Sequence, residues 1–201
     1  MTMALPSAPA PAPRRQVFVA TAFVVAAAAM LMAGMLAMWM RFRAGAPVRT
    51  SSDGLERIKD WLPESVKIPE VAATTMVSTF PFAALMAQWA VHAAKRRDRS
   101  HRSLALLITF GLGLAIVNAQ IAVYAQMGIG IADGAYQSMF YAITGTMLLL
   151  VAGGMVFSAV AFFRSIGGRD DDQHVIASHA LYWYFLTAAF TALWFFVYVQ
   201  K

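Results

Sequence analysis

The chain has 201 residues, of which 60% are hydrophobic and 13% charged, with a formal net charge of +6 and no cysteine. Soluble domains run at about a quarter charged, so this composition excludes a soluble fold, and the absence of cysteine excludes disulfides, thiol chemistry and cysteine metal sites. The positive charge sits in short clusters at the ends of apolar runs, where it sets membrane topology and leaves no nucleic-acid footprint.

Residues 1–16, MTMALPSAPAPAPRRQ, are rich in Pro and Ala and read as a flexible cytoplasmic tail. Residues 17–201 read as one all-α integral membrane domain of five transmembrane helices. Each apolar run has about 20 residues or more, the length that crosses a bilayer. Helix 1 is expected over Val17–Met40, helix 2 over Val71–Ala94 and helix 3 over Ser103–Met127. Helix 4 is expected over Tyr136–Phe163 and helix 5 over Val175–Val199. Arg14 and Arg15 precede helix 1 in the manner of a twin-arginine export signal. The run that follows is too long for a cleaved signal core, so it reads as a retained helix.

Between helices 1 and 2 lies SDGLERIKDWLPESVKIP. Asp53 with Glu56 three residues on fits a capping box, and Leu55, Ile58 and Leu62 share one face. A short amphipathic helix on the outer membrane surface is expected here, with Trp61 at headgroup level. The connection GIGIADGA is short and nearly uncharged, so helices 3 and 4 form a tight hairpin.

Lys and Arg counts orient the bundle. Arg14, Arg15, Lys95, Arg96, Arg97, Arg99, Arg102, Arg164 and Arg169 fall on one side; Arg41, Arg43, Arg49, Arg57, Lys59, Lys67 and Lys201 fall on the other, mostly in a long loop with five acids. Basic residues in short loops count most, which places the N-terminus in the cytoplasm and the C-terminus outside.

Ionisable residues deep in a bilayer are costly and mark functional paths. None is expected at mid-span: His92, His101, His174 and His179 read as interfacial, and no two of them show an i, i+4 ligand spacing. No haem or metal is therefore expected to be held by this chain alone. Met30, Met32, Met35, Met38 and Met40 in helix 1 read as adaptable packing, since a copper path would offer His or Cys beside them. The polar residues that enter the spans are neutral: Thr74, Thr75, Ser78, Thr79 and Gln88 in helix 2, Asn118, Gln120 and Gln126 in helix 3, and Thr144 and Thr146 in helix 4. They are expected to hydrogen-bond between helices; a solute path along helices 2 and 3 is the alternative reading. Thr144, Gly145, Gly153, Gly154 and Ser158 are expected where backbones approach closely, because lipid gives helices no hydrophobic reason to associate. Trp183, Tyr184, Trp194 and Tyr198 read as interfacial anchors or partner contacts.

Four segments, in order, resemble the cytochrome c oxidase subunit III family in its short five-helix form. SMFYAITGTMLLLVAGG is similar to the family helix S-x-FY-x-x-TG-x-H-x-x-H-V-x-x-G, through Ser138, Phe140, Tyr141, Thr144, Gly145, Val151 and Gly154. The preceding helix resembles G-x-x-F-x-x-x-Q-x-x-E-Y through Gly113, Gln120 and Tyr124. Tyr182, Trp183 and Phe185 match the terminal YWHF segment, and MLMAGMLAMW resembles a segment of the first helix. The family's ionisable positions fall on neutral residues here: Ala28, Val123, Met147, Leu150, Tyr184 and Thr187. The resemblance implies a non-catalytic subunit of a respiratory haem–copper oxidase, without catalytic, cofactor or metal residues of its own and with the family's proton-uptake residues lost. It further implies phospholipid held in the cleft of the helical bundle, haem and copper in partner subunits, and residence in the cell's inner membrane. Two alternatives stand beside it: a small polytopic transporter or channel, and a related structural subunit of another complex such as a nitric oxide reductase.

Overall fold

A computed structural model of the chain describes residues 15–50, 57–63, 66–168 and 173–200. It contains α1 (Gln16–Gly45), β1 (Val48–Thr50), β2 (Arg57–Lys59), α2 (Glu70–Lys95), α3 (Arg99–Met127), α4 (Ala135–Ile166) and α5 (Gln173–Leu193), which widens into a π-helical turn over Trp194–Val199. Five helices are long and apolar enough to cross a membrane. A helix satisfies every backbone polar group within its own segment, which hydrocarbon demands. The expected tail lies almost wholly outside the described residues.

Helices α2, α3, α4 and α5 close into a ring, each packed on the next, and α1 lies outside it along α5 and α4. The pair α2–α3 is the most extensive because α2 turns alanines inward: Ala73, Ala83, Ala84, Ala87, Ala90, Ala93 and Ala94 are all buried. Small side chains let two backbones come close. In contrast, α1 buries a single stripe of Ala28, Met32, Leu36 and Trp39, at helical spacing, with Val25 and Met35 half-buried beside it and most of the rest exposed. The five methionines do not share a face: Met32 is buried, while Met30, Met38 and Met40 are exposed.

Three features depart from expectation. Helix α1 runs on to Gly45, beyond Arg41 and Arg43, whose charges already lie past the apolar run. Helix α3 starts four residues earlier than expected, at Arg99, because Asp98 caps it: its carboxylate accepts the His101 backbone N–H at 3.1 Å. The connection from α2 is thereby cut to three residues, with Arg97 left-handed at φ 57°. Where a surface helix was expected after α1, Arg57–Lys59 instead form a strand antiparallel to Val48–Thr50, with Arg49 opposite Ile58. Asp53, Leu55 and Glu56 lie outside the described residues. Trp61 is buried within the protein; it packs edge-on to Trp39 (5.1 Å between centroids) and Tyr136 (5.6 Å).

Candidate functional site

The motif residues converge on two seams between α3, α4 and α5. In the first, Gln120 and Tyr124 lie one helical turn apart on α3 and face α4. The Tyr124 hydroxyl and Thr144 Oγ1 are 2.8 Å apart. Thr144 spends its own proton on the Phe140 carbonyl at 2.6 Å, so Tyr124 is the donor to Thr144. The Tyr124 ring packs on Tyr141 at 4.8 Å, and the Tyr141 hydroxyl donates to the Ile129 carbonyl at 2.8 Å. The polar motif groups thus tie α3, the α3–α4 turn and α4 together. Gln120 is buried among them. Tyr198, carried inward by the π-helical turn of α5, stands 3.5 Å from Gln120 Oε1.

The second seam joins α4 and α5. A Cβ added at Gly154 would sit 2.9 Å from Leu186 Cδ1 and 3.2 Å from Tyr182 Cε1, so this glycine is what lets α5 approach. Gly113 of α3 is as confined, against Met155 and Trp183. Gly145 is not: a Cβ there meets nothing within 4 Å, so within this chain it marks no close approach, contrary to expectation. The Tyr182 hydroxyl donates to the Leu150 carbonyl at 2.9 Å. Trp183 Nε1 donates to Ser158 Oγ at 3.1 Å, Ser158 donates to the Gly154 carbonyl at 2.9 Å, and Ser158 Oγ lies 2.7 Å from His179 Nε2. One hydroxyl has one proton and two lone pairs. With its proton on the carbonyl and one lone pair taken by Trp183, Ser158 accepts from His179, which fixes the histidine as the Nε2–H tautomer. Its Nδ1 is buried without a partner among the described residues.

Three sequence expectations are corrected here. His179 is not interfacial: it lies a turn and a half inside α5, with 0% exposure. A titratable side chain does, therefore, enter the bundle. Arg102 is not a loop cation: it is buried, with Nε donating to Ser165 Oγ at 2.7 Å. Trp183 and Tyr198 are core residues rather than anchors, whereas Tyr184 is exposed.

The neutral polar residues of α2 mostly bond within their own helix. Thr75, Ser78 and Thr79 donate to the carbonyls of Val71, Thr74 and Thr75. Interhelical bonds come instead from Tyr184 to Gln88 Oε1 (2.9 Å) and from Thr187 to the Phe80 carbonyl (3.1 Å). Thr74, Thr75 and Ser78 face outward on α2, Asn118 and Gln126 outward on α3, and Gln120 inward. The groups that a solute path would need are not gathered into one channel.

A sequence-family model described as Cytochrome c oxidase subunit III matches residues 61–201. Among curated proteins, the chain is similar to "Cytochrome c oxidase subunit 3" of Tragelaphus imberbis, Bos mutus grunniens and Bos taurus. Each is 34% identical over 114 residues, covering 56% of this chain and 42% of the relative. The chain therefore spans about two fifths of the length of these relatives.

Proposed function

The chain belongs to the cytochrome c oxidase subunit III family and is a multi-pass membrane protein, and on that premise we propose that it is a non-catalytic integral subunit of a respiratory haem–copper oxidase, in the cell's inner membrane. In this reading it supports assembly and stability of the catalytic subunit, haem and copper reside in partner chains, and phospholipid is held in the cleft of the bundle. The observation that supports it is what the motif residues do. Tyr124, Thr144, Tyr141, Tyr182 and Trp183 spend their polar groups on one another and on backbone carbonyls, and Gly154 on a close approach. A scaffold uses its characteristic residues in this way; a catalyst would aim them at a substrate. The positions that the resemblance aligns with ionisable residues carry Ala28, Val123, Met147, Leu150, Tyr184 and Thr187, so a direct part in proton uptake is not assigned. The N-terminus is placed in the cytoplasm and the C-terminus outside.

Affinity purification of the full chain from its native membrane in a mild detergent tests this reading. Haem-containing subunits are expected to co-elute, with reduced-minus-oxidised haem bands in the eluate. A chain that elutes alone and haem-free overturns it. Recovery with the haem subunits of a nitric oxide reductase would move the scaffold to that complex.

A further inference from the structure

The outer face of α3 carries a polar group that the rest of the chain leaves unpaired. From Ser103 to Met127 this helix holds no charged residue. Asn118 lies in its apolar stretch, Leu104–Val123, about 7 Å from the middle at about 1.5 Å of rise per residue. That depth is inside a hydrocarbon layer about 30 Å thick. The Asn118 side chain is exposed and makes no hydrogen bond among the described residues. Other polar groups on outward faces find partners within the chain. On α2, Thr75 and Ser78 donate to carbonyls of their own helix, and Gln88 accepts from Tyr184; on α4, Thr146 donates to the Ala142 carbonyl. An unpaired carboxamide facing lipid is costly, and side chains of this kind join helices by hydrogen bonds at such depths. The surface around it is shaped for a close neighbour. Gly111, Ala115, Asn118, Ala122 and Ala125 recur every three or four residues along one stripe; Ala122 is half-buried and the other four are exposed. A Cβ added at Gly111 meets nothing within 4 Å, so no part of this chain fills the space that glycine leaves.

Whatever covers this face must bring a hydrogen-bond donor and an acceptor to the depth of Asn118. A second copy of the chain brings both. Two copies inserted with the same topology run their α3 helices parallel about a two-fold axis along the membrane normal, so each residue of the stripe meets itself. A carboxamide holds N–H donors and a C=O acceptor, so Asn118 and its twin satisfy each other with two reciprocal bonds. The hydroxyl face of α2 is not self-complementary in this way, because its protons are already given to its own backbone. We infer that the outer face of α3 is the contact through which two copies of this chain pair in the membrane. Asn118 bonds to Asn118 at its centre, and Gly111, Ala115, Ala122 and Ala125 let the two backbones close. The pairing does not rest on the oxidase reading, since it engages only the chain itself.

Disulfide cross-linking of the full chain in its native membrane, with copper–phenanthroline as oxidant, tests this. The chain has no cysteine, so each introduced one reports alone. Ala115→Cys and Ala125→Cys, on the stripe, are expected to give a covalent dimer of the chain, and Val156→Cys, 64% exposed on the outward face of α4, to stay monomeric. Added to Ala115→Cys, Asn118→Leu is expected to slow cross-linking about fivefold, the scale of the interhelical hydrogen bonds lost. Asn118→Gln keeps the carboxamide and is expected to cross-link faster than Asn118→Leu. Thermal unfolding in detergent checks that the variants are folded; should one fail, the contrast of Ala115→Cys and Ala125→Cys with Val156→Cys still decides. No dimer at either stripe position overturns the pairing, as does equal cross-linking of Val156→Cys. A rate unchanged by Asn118→Leu overturns the role of the amide. A cross-link from the stripe to a different protein, with none to a second copy, gives the face to a partner subunit and overturns the pairing. Dimers that form while haem subunits fail to co-elute uphold the pairing and sink only the oxidase reading.

Discussion

Ser158 is the residue on which the α4–α5 contact turns, because a single hydroxyl satisfies three buried groups at once: the Gly154 carbonyl, Trp183 Nε1 and His179 Nε2. Ser158→Ala removes little volume but leaves two buried N–H donors without acceptors, each costing about 1–3 kcal/mol. His179→Leu removes one of those donors together with the unpaired Nδ1. The double variant is therefore expected to be less destabilised than the sum of the single ones, by about 1 kcal/mol or more, as residues sharing one hydrogen-bond network are. Unfolding midpoints of the three variants in detergent check this, and strict additivity would break the link between the two residues. The glycines make a second contrast. Gly154→Leu drives a side chain into Leu186 and Tyr182 and is expected to cost about 1–3 kcal/mol by overpacking. Gly145→Ala meets open space and is expected to be neutral, or stabilising by up to about 1 kcal/mol through helix propensity. Sequence could rank neither pair. Gly145 and Gly154 look alike in a list of small residues, and only their neighbours separate them. His179 was half legible: Ile176, His179, Trp183, Leu186 and Phe190 recur at helical spacing on one buried face. That spacing entered no expectation for position 179; only the cost of a buried histidine did, and it argued for the surface. Ser158, a turn from Gly154 on the facing helix, offsets that cost.

At the scale of elements, the five spans were readable because hydrocarbon leaves the backbone no alternative, and length alone then names them. What lipid does not dictate was harder to read. The β1–β2 pair depends on matching Val48 with Lys59 and Thr50 with Arg57, a non-local match that local periodicity misread as a helix. The start of α3 was hidden by its charge. KRRDRSHR looks like a loop, yet Asp98 is a capping residue placed three before His101. Its carboxyl is held below its ordinary value of 3.8, first by the His101 backbone N–H and then by the His101 ring, whose Nδ1 is 2.6 Å away. A carboxyl depressed by folding stabilises the fold above its unfolded value, and that contribution is lost as pH falls through the folded value. Amide exchange at His101 is therefore expected to stay slow, relative to neighbouring exposed amides, at neutral pH and down to about pH 4, and to speed up below 3.8. Asp98→Ala should show fast exchange at every pH. Slow exchange that persists in Asp98→Ala would show that something other than this cap protects the first turn.

For the molecule as a whole, the ring of α2 to α5 with α1 outside it fixes which ends lie together, and the distribution of Lys and Arg is the ground on which we propose which face is which. Trp39 near the end of α1 donates to the Phe196 carbonyl near the end of α5, so the hairpin face and the C-terminus share one side. The start of α1, the α2–α3 turn and the end of α4 share the other. The α2–α3 turn is decisive because it is so short: Lys95, Arg96, Arg97 and Arg99 crowd within a few residues of two span ends, where basic residues weigh most. Arg102 is already engaged with Ser165 inside the bundle, so the exposed four carry the bias at that turn. The opposite face has its cations spread over a longer connection and partly matched, as Arg49 is by Asp60. A green fluorescent protein fused after Lys201 is accordingly expected to be dark, and alkaline phosphatase at the same place active; the same reporters inserted in the α2–α3 turn should give the reverse. Replacing Lys95, Arg96, Arg97 and Arg99 with Gln leaves α3 its Asp98 cap but removes the charge that anchors this turn, and should yield a mixed population in which both reporters score at the C-terminus. A bright C-terminal fluorescent fusion in the unaltered chain would reverse the assignment of faces.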